Sequence, residues 1–243
     1  MNKNQLWQIP SSLCLNQDKF ETLHTRLQTI ANSVITNKDK CIKFASSLAA
    51  EDMIITHAIL TQKLDIKIFV LNTGRLHQQT LDLIDEIEQV YAYKLEIFTP
   101  NQQDVEEYVS NKGQNAFYES LDLRKECCYI RKVEPLSRAL SNANAWITGQ
   151  RQAQSTTRND LEFAQLDNSH NGIVKYNPIF DWNDDDVWAY IKHYNVLLNK
   201  LHFQGYPSIG CEPCTRPIRL NENLRAGRWW WEDAQNKECG LHK

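Results

Sequence analysis

The chain has 243 residues, 42% of them hydrophobic and 23% charged, with 27 Lys+Arg against 30 Asp+Glu and a formal net charge of −3. This is enough for one sizeable core without disulfide staples, and it excludes the global basic excess that drives nonspecific binding to nucleic acid or membrane surfaces. No apolar stretch approaches the roughly 20 residues that span a bilayer, and the start lacks the apolar run and cleavage pattern of a secretory signal, so the expected compartment is the cytoplasm. Seven cysteines, an odd number in a reducing compartment, point to metal binding or thiol chemistry rather than a disulfide framework.

Taken in chain order, Leu13 to Ile35 spaces Phe20, Leu23, Leu27 and Ile30 as one face of an opening amphipathic helix. A strand over Cys41 to Ala45, a small polar loop over Ser46 to Asp52 and a helix over Met53 to Gln62 follow. The pattern repeats with a strand over Ile66 to Leu71, a loop over Asn72 to Leu76, a helix over His77 to Tyr91 and a further strand over Lys94 to Phe98. Such alternation predicts an α/β fold, a parallel twisted sheet with helices on both faces. A mixed helical region spans Gln102 to Leu140, Ala145 to Thr148 reads as another central strand ending at Gly149, and Trp182 to His193 reads as a helix opened by Asn183 with an acidic first turn. Beyond Tyr194 the periodicity fades, and from Gly205 onward the chain reads as an irregular, mobile tail rich in Gly and Pro. The chain thus divides into an α/β body over 1–205 and a C-terminal segment over 206–243. In such sheets ligands sit beyond the carboxyl ends of the strands, where the loops beginning at Ser46, Asn72 and Gly149 all lie.

The first of these loops has hydroxyls and small side chains that let backbone N–H groups approach a phosphate at the positive end of a helix, without a Walker pattern. The second offers Gly74 and Arg75, and the third, Gly149 to Arg158, offers Arg151 and Arg158 among amides and hydroxyls. Arginine suits bidentate oxyanion binding, so the three together predict a pocket for a small anionic nucleotide. Cys127-Cys128 and Cys211-Glu-Pro-Cys214 supply four thiols in two close pairs, the arithmetic of a tetrathiolate metal site. Neighbouring cysteines on a helix point in different directions, which a 4Fe-4S cube with separate iron corners accommodates more readily than one tetrahedral zinc ion; spacing alone favours the cube and leaves zinc open. Cys14 and Cys41 sit in apolar contexts and read as core. Cys239 lies outside any apolar periodicity, with His242 nearby and Arg216, Arg219, Arg225 and Arg228 upstream, positive charge that favours a thiolate. Lys132, four residues beyond Cys128, is placed to lie between a cluster and a bound anion. The Trp229 to Trp231 run reads as docking the tail on the core rather than as stacking on nucleic-acid bases.

Ser46 to Asp52, Leu71-Asn-Thr-Gly-Arg-Leu-His77, Cys127 to Leu136, Trp146 to Arg151, Cys211 to Cys214, Arg225 to Glu232 and Glu238-Cys-Gly-Leu-His242 together resemble the assimilatory adenylyl-sulfate (APS) reductases, from about Cys41 to the C-terminus. The related phosphoadenylyl-sulfate (PAPS) reductases share the sheet and the terminal cysteine but lack both cysteine pairs, which points to APS. The resemblance implies an adenine nucleotide alpha-hydrolase-like fold and a thioredoxin-dependent homo-oligomer that reduces APS to sulfite and AMP, with a 4Fe-4S cluster on Cys127, Cys128, Cys211 and Cys214. It makes Cys239 the nucleophile with His242 beside it, sets Lys132 between cluster and substrate, and gives Arg225 and Arg228 the sulfate and phosphate. Ser46, Ser47, Leu48, Ala49, Ala50, Glu51 and Asp52, with Asn72, Thr73, Gly74, Arg75, Gly149 and Arg151, are the implied nucleotide contacts. Two positions depart from the family pattern: Ala49 stands where Gly is common and Asn72 where Asp is common. Two rivals are an ATP-cleaving adenylating enzyme, whose Ser-Gly-Gly-x-Asp-Ser loop is absent here, and a sensor or nucleic-acid module whose cysteines hold zinc.

Overall fold

Short runs rich in β-branched and aromatic residues pair edge to edge, the central ones burying both faces. In the computed structural model, which describes residues 5–11, 13–35, 41–155 and 158–233, the strands Ile42–Ser46 (β1), Lys67–Leu71 (β2), Glu96–Phe98 (β3) and Ala145–Ile147 (β4) are parallel. Lys43 lies opposite Lys67 on one side of β1 and opposite Trp146 on the other. Ala164–Asp167 (β5) and Ile173–Tyr176 (β6) complete a six-stranded sheet ordered β3-β2-β1-β4-β6-β5, in which only β5 runs antiparallel to its neighbour.

This hairpin is a departure from the all-parallel expectation. Its turn carries two residues in the left-handed region, Asn171 (φ 58°) and Gly172 (φ 68°), and the Asp167 carboxylate accepts from Ser169 N at 3.0 Å and pairs with His170. An Asn-Gly pair is the short-range signal for such a turn. Strand order reverses between β1 and β4, so the loops after these two strands diverge and leave a crevice at their carboxyl ends.

The helices Gln17–Ile35 (α1), Ala50–Thr61 (α2), Gln78–Tyr91 (α3) and Asp184–Tyr194 (α7) are set around one core. Helix α1 starts later than the Leu13 expected, where the Asn16 side chain accepts from Lys19 N, and it buries Phe20, Leu23, Leu27 and Ile30 as its spacing requires. Helix α2 is wrapped almost all round, with Met53, Ile54, Ile55, Ala58 and Ile59 fully buried. Asn183 and Asp186 form a capping box at the start of α7, a device worth about 1 kcal/mol.

The mixed helical region resolves into Gln102–Lys112 (α4), Leu121–Cys128 (α5), a single π-turn at Tyr129–Val133 and Glu134–Leu140 (α6). Pro135 has no N–H for the Arg131 carbonyl and its ring crowds that oxygen. The chain relieves this with a wider turn, in which Glu134 N reaches back to Tyr129 O. Helix α6 covers the second face of the sheet, packing Leu136, Ala139 and Leu140 on Phe69 and Trp146.

Residues 206–233 are irregular, as expected, and docked: Ile218 and Trp229 are buried, and isolated bridges join Leu76 to Cys211, Thr215 to Arg228 and Leu6 to Arg219. Cys239 and His242 lie outside the described residues. No helix among the described residues is long and apolar enough to cross a membrane.

Two histidines, His57 half-buried and His202 fully buried, make the core sensitive to acid. His57 Nδ1 and His24 Nε2 share the Tyr190 hydroxyl at 3.1 Å each, and burial lowers His57 from 6.5 to about 4. Burial also lowers His202 to about 4. As pH falls below 6.5 the unfolded chain takes up a proton at each of His57 and His202 that the folded chain refuses, so stability present above that pH is lost; burial lowers His24 and His77 in the same direction. Asp52, pushed by burial from 3.8 up to about 6, takes up a proton in the folded chain over the same range and offsets about one of the two. Discounted for the part of His57 that solvent reaches, these three groups together lose about 2 kcal/mol between pH 7 and pH 5. Urea midpoints measured across that range should fall accordingly; a flat profile would contradict the assignment of neutral imidazoles.

Candidate functional site

A cavity of about 460 Å³ opens at the crevice between β1 and β4, within the ordinary range for small-molecule sites. Ser46, Ser47, Ala49, Ala50, Glu51, Asp52, Thr73, Gly149 and Arg151 all line it, as do Lys132, Cys211, Arg225 and Arg228 from other parts of the chain. Leu48, Asn72, Gly74 and Arg75 are outside its lining.

The first loop turns sharply into α2. Leu48 adopts φ 61°, the left-handed region that costs a branched side chain about 1–2 kcal/mol, and it is held there by complete burial of its side chain. Ala49 caps α2 with no side-chain hydrogen bond, which leaves the first-turn amides directed at the cavity mouth for an anionic ligand. Asp52 ties this loop down: its carboxylate accepts from Ser47 N at 2.7 Å and from the Ser47 hydroxyl. It also lies against Gly149, where a Cβ would come 2.1 Å from Asp52 Oδ1. The glycine is therefore required by the close approach of the two loops.

Arg151 is buried in a network of its own. It donates to Glu51 Oε1 at 2.7 and 3.2 Å, to Asp184 Oδ1 at 2.8 Å and to Trp182 O at 3.2 Å, and Gln154 Nε2 joins at Glu51. Burial would raise the Glu51 carboxyl, but Arg151 and Gln154 outweigh it and hold it below the usual carboxylate range. The guanidinium thus braces the Gly149 loop against α2 and the start of α7. Sequence placed Arg151 at the site without showing that its charge is already matched.

In the second loop, Asn72 Oδ1 accepts from Gly74 N at 3.0 Å, an Asx turn. Arg75 turns away to Gln114 O and Asn115 Oδ1 at 3.1 and 3.0 Å and stacks on Phe117. Thr73 takes the inward position: its hydroxyl meets Cys211 Sγ at 3.3 Å, and its carbonyl accepts from Arg131 Nη1 at 2.7 Å.

The two cysteine pairs converge beside this loop. Cys211 and Cys214 pack with Phe117 and Trp229, with Cys127 and Trp231 against them; Cys128 is buried next to Arg124 and within electrostatic reach of Cys214. Burial pushes the Cys127 thiol up, and Arg131 only partly counters it. Burial would do the same to Cys211, but Lys132, Thr73 and Arg228 reverse the direction and favour its thiolate. Cys214 is pushed up to about 12 by burial, then by Cys211. Among the described residues no group of three or more His, Cys, Asp or Glu is spaced to hold a metal ion. The chain thus gathers four thiols around one pocket without closing any three on a single point.

Lys132 lines the cavity and bonds Cys211, so one ammonium faces both the anion cavity and the thiol pocket. Arg228 donates to Ile209 O at 2.9 Å and stacks over Trp229, while its Nε is buried without a partner. A Cβ on Gly210 would come 2.6 Å from Arg228 Nη2, so a glycine is what lets the guanidinium lie along the backbone. Sequence reading missed the apolar floor of Phe69, Leu136 and Trp146 and the contributions of Gln150, Trp7 and Ser208. Their side chains reach the cavity through tertiary packing, and no spacing announces them.

A family model for the phosphoadenosine phosphosulfate reductase domain matches residues 42–217. The chain is 57% identical to an adenosine 5'-phosphosulfate reductase of Burkholderia cepacia over 89% of this chain and 86% of that one. It is 54% identical to one of Neisseria meningitidis over 99% and 98%. Among solved structures it is similar to a phosphoadenylyl-sulfate reductase of Candida auris in a phosphate complex, with a TM-score of 0.64 and 26% identity over 85% of this chain and all of that one. An NH3-dependent NAD synthetase of Campylobacter jejuni shares the adenine nucleotide alpha-hydrolase-like fold, with a TM-score of 0.53, 11% identity and 80% of each chain covered. Family match, relatives and fold agree, and the chain belongs to the phosphoadenosine phosphosulfate reductase family of oxidoreductases.

Proposed function

We propose that this protein reduces adenosine 5'-phosphosulfate to sulfite and AMP in assimilatory sulfate reduction, through Cys239 and with thioredoxin as the reductant. The observation that carries the reading is Lys132, whose ammonium lines the cavity while bonding a cysteine of the four-thiol pocket. The name shared by the relatives at 46–57% identity supports the substrate.

The donor set fits a 4Fe-4S cluster. Cys127, Cys211 and Cys214 pack in one apolar cluster with Cys128 in electrostatic reach of Cys214, and Arg131, Arg124 and Lys132 each attend one of the four thiols. Cys127 and Cys128 are adjacent on one helix and point in different directions, which separate iron corners suit better than a tetrahedral zinc. Cys127, Cys128, Cys211 and Cys214 would hold the cluster, which supplies structural and electrostatic support beside the cavity.

The α2 amides and the Ser46–Ser47 loop would take the nucleotide phosphate, and Arg225 and Arg228 the sulfate end. The Cys239 thiolate attacks sulfur; an S–S bond forms, the S–O bond to phosphate breaks, and AMP leaves with the electron pair. Lys132 and the two arginines offset repulsion between the anionic nucleophile and the sulfate. One thiolate of reduced thioredoxin then attacks Cys239 Sγ and expels sulfite with the bonding pair. Its second thiol resolves the mixed disulfide, so that thioredoxin ends oxidised and Cys239 free. His242, three residues on, favours the thiolate of Cys239, and the functional form is a homo-oligomer in the cytoplasm.

The test supplies APS and PAPS in parallel to anaerobically purified protein with reduced thioredoxin. Sulfite release should be at least about tenfold faster from APS. Equal rates would assign dual use, and release from neither would end the reading.

A further inference from the structure

Beside the cavity, the last described residues lie against the paired cysteines and are held by one buried ion pair. Arg124 lies on α5 four residues before Cys128, on the same helix face. It has no exposed surface, and its Nε and Nη2 donate to the two carboxylate oxygens of Glu232 at 2.7 and 2.9 Å. The Glu232 side chain is itself 9% exposed. The same guanidinium bonds the Cys128 thiol and stacks over the Trp229 ring at 4.7 Å. Trp229 in turn donates from its backbone N–H to the Cys214 carbonyl at 3.1 Å, and Glu232 N donates to Trp229 O at 2.9 Å. One cation therefore touches the first cysteine pair, the ring seated against the second, and the carboxylate that ends the strap Trp229–Glu232.

A charge placed where water cannot reach is stable only while its partners stay, and the planar fork of arginine fills both carboxylate oxygens in a way an ammonium cannot. The Cys128 sulfur and the Glu232 carboxylate draw on a single guanidinium. A change at either end is felt at the other, and the coupling runs equally in both directions.

We propose that Arg124 is a positioning residue: it ties the strap Trp229–Glu232, and through it the chain's approach to Cys239, to the paired cysteines, so that occupancy of the cysteine site and seating of the strap are coupled. The inference rests on the proposed cluster for its occupant, but the tie itself is a property of the protein alone.

The experiment uses the full chain and two readouts. In iron-free protein, the rate at which iodoacetamide alkylates Cys128 is followed by peptide mass; in anaerobically isolated protein, the rate of iron release to a chelator is followed by absorbance. Glu232→Gln keeps the shape and removes the charge, and should raise both rates at least about tenfold. Arg124→Lys should fall between it and wild type, because the charge stays and the fork is lost. Arg124→Gln combined with Glu232→Gln should exceed Glu232→Gln alone by no more than about twofold, as partners of one unit do; far-UV circular dichroism confirms that this uncharged pair is folded. Wild-type alkylation and iron-release rates in Glu232→Gln would overturn the inference while leaving the cluster in place. Wild-type protein isolated without iron or sulfide would overturn the cluster reading, and the alkylation rates would then decide the tie.

Discussion

Replacing Lys132 by alanine is expected to lower kcat/KM for sulfite release by about two to three orders of magnitude. Its ammonium is held at the boundary of two compartments, in the lining of the cavity and on the Cys211 sulfur. A sulfuryl group attacked by a thiolate gathers negative charge that no neutral side chain in that position can meet, and removal of a cation from this half-buried setting forfeits more than the same change at the open surface. Loss of Lys132 should also withdraw the largest influence favouring the Cys211 thiolate against burial. Lys132→Arg keeps the charge and should recover part of the rate. Steady-state kinetics at constant iron content separate the two roles. An alanine variant within threefold of wild type would make Lys132 a partner of Cys211 alone.

Gly149→Ala should be nearly as damaging, by a different route. The new methyl would sit 2.1 Å from Asp52 Oδ1 and 3.2 Å from Glu51 Cβ. Asp52 has nowhere to retreat, since it is fixed by the Ser47 amide and hydroxyl, and Glu51 is fixed by Arg151 and Gln154. The loops after β1 and β4 must part, which costs about 2–4 kcal/mol of overpacking and lost buried hydrogen bonds and moves the Ser46–Ser47 loop from the phosphate. The urea midpoint and nucleotide affinity should therefore fall together. Asp52→Ala added to Gly149→Ala removes the clash and should recover part of the stability but not the binding. A Gly149→Ala protein with wild-type midpoint and affinity would show that the two loops are not held in contact.

Much of this site was legible in the chain because its signals are local. The strands β1, β2 and β4 are short, mostly apolar runs followed by small polar loops, and parallel order brings those loops to one edge. Lys132 was found by its spacing from Cys128, and the π-turn between them keeps Arg131 and Lys132 both turned toward sulfur. What spacing could not show is who already holds a charge. Arg75 and Arg151 look alike in sequence, yet the first is turned outward by Gln114 and Asn115 and the second is matched by Glu51 and Asp184. The β5–β6 hairpin escaped because β5, Ala-Gln-Leu-Asp, is four residues long and half polar, although Asn171-Gly172 marks its turn. Residues 206–233 have no period to read, because they are held by isolated bridges and by Trp229 rather than by a repeating face.

Covalent chemistry at Cys239 is tested by a single turnover with sulfur-labelled APS in the absence of any thiol, followed by peptide mapping. About one label per active site should appear on the peptide containing Cys239 as AMP is released, and reduced thioredoxin should then discharge it as sulfite. AMP release with no label on Cys239, or labelled sulfite formed at the wild-type rate by Cys239→Ser, would contradict the covalent scheme.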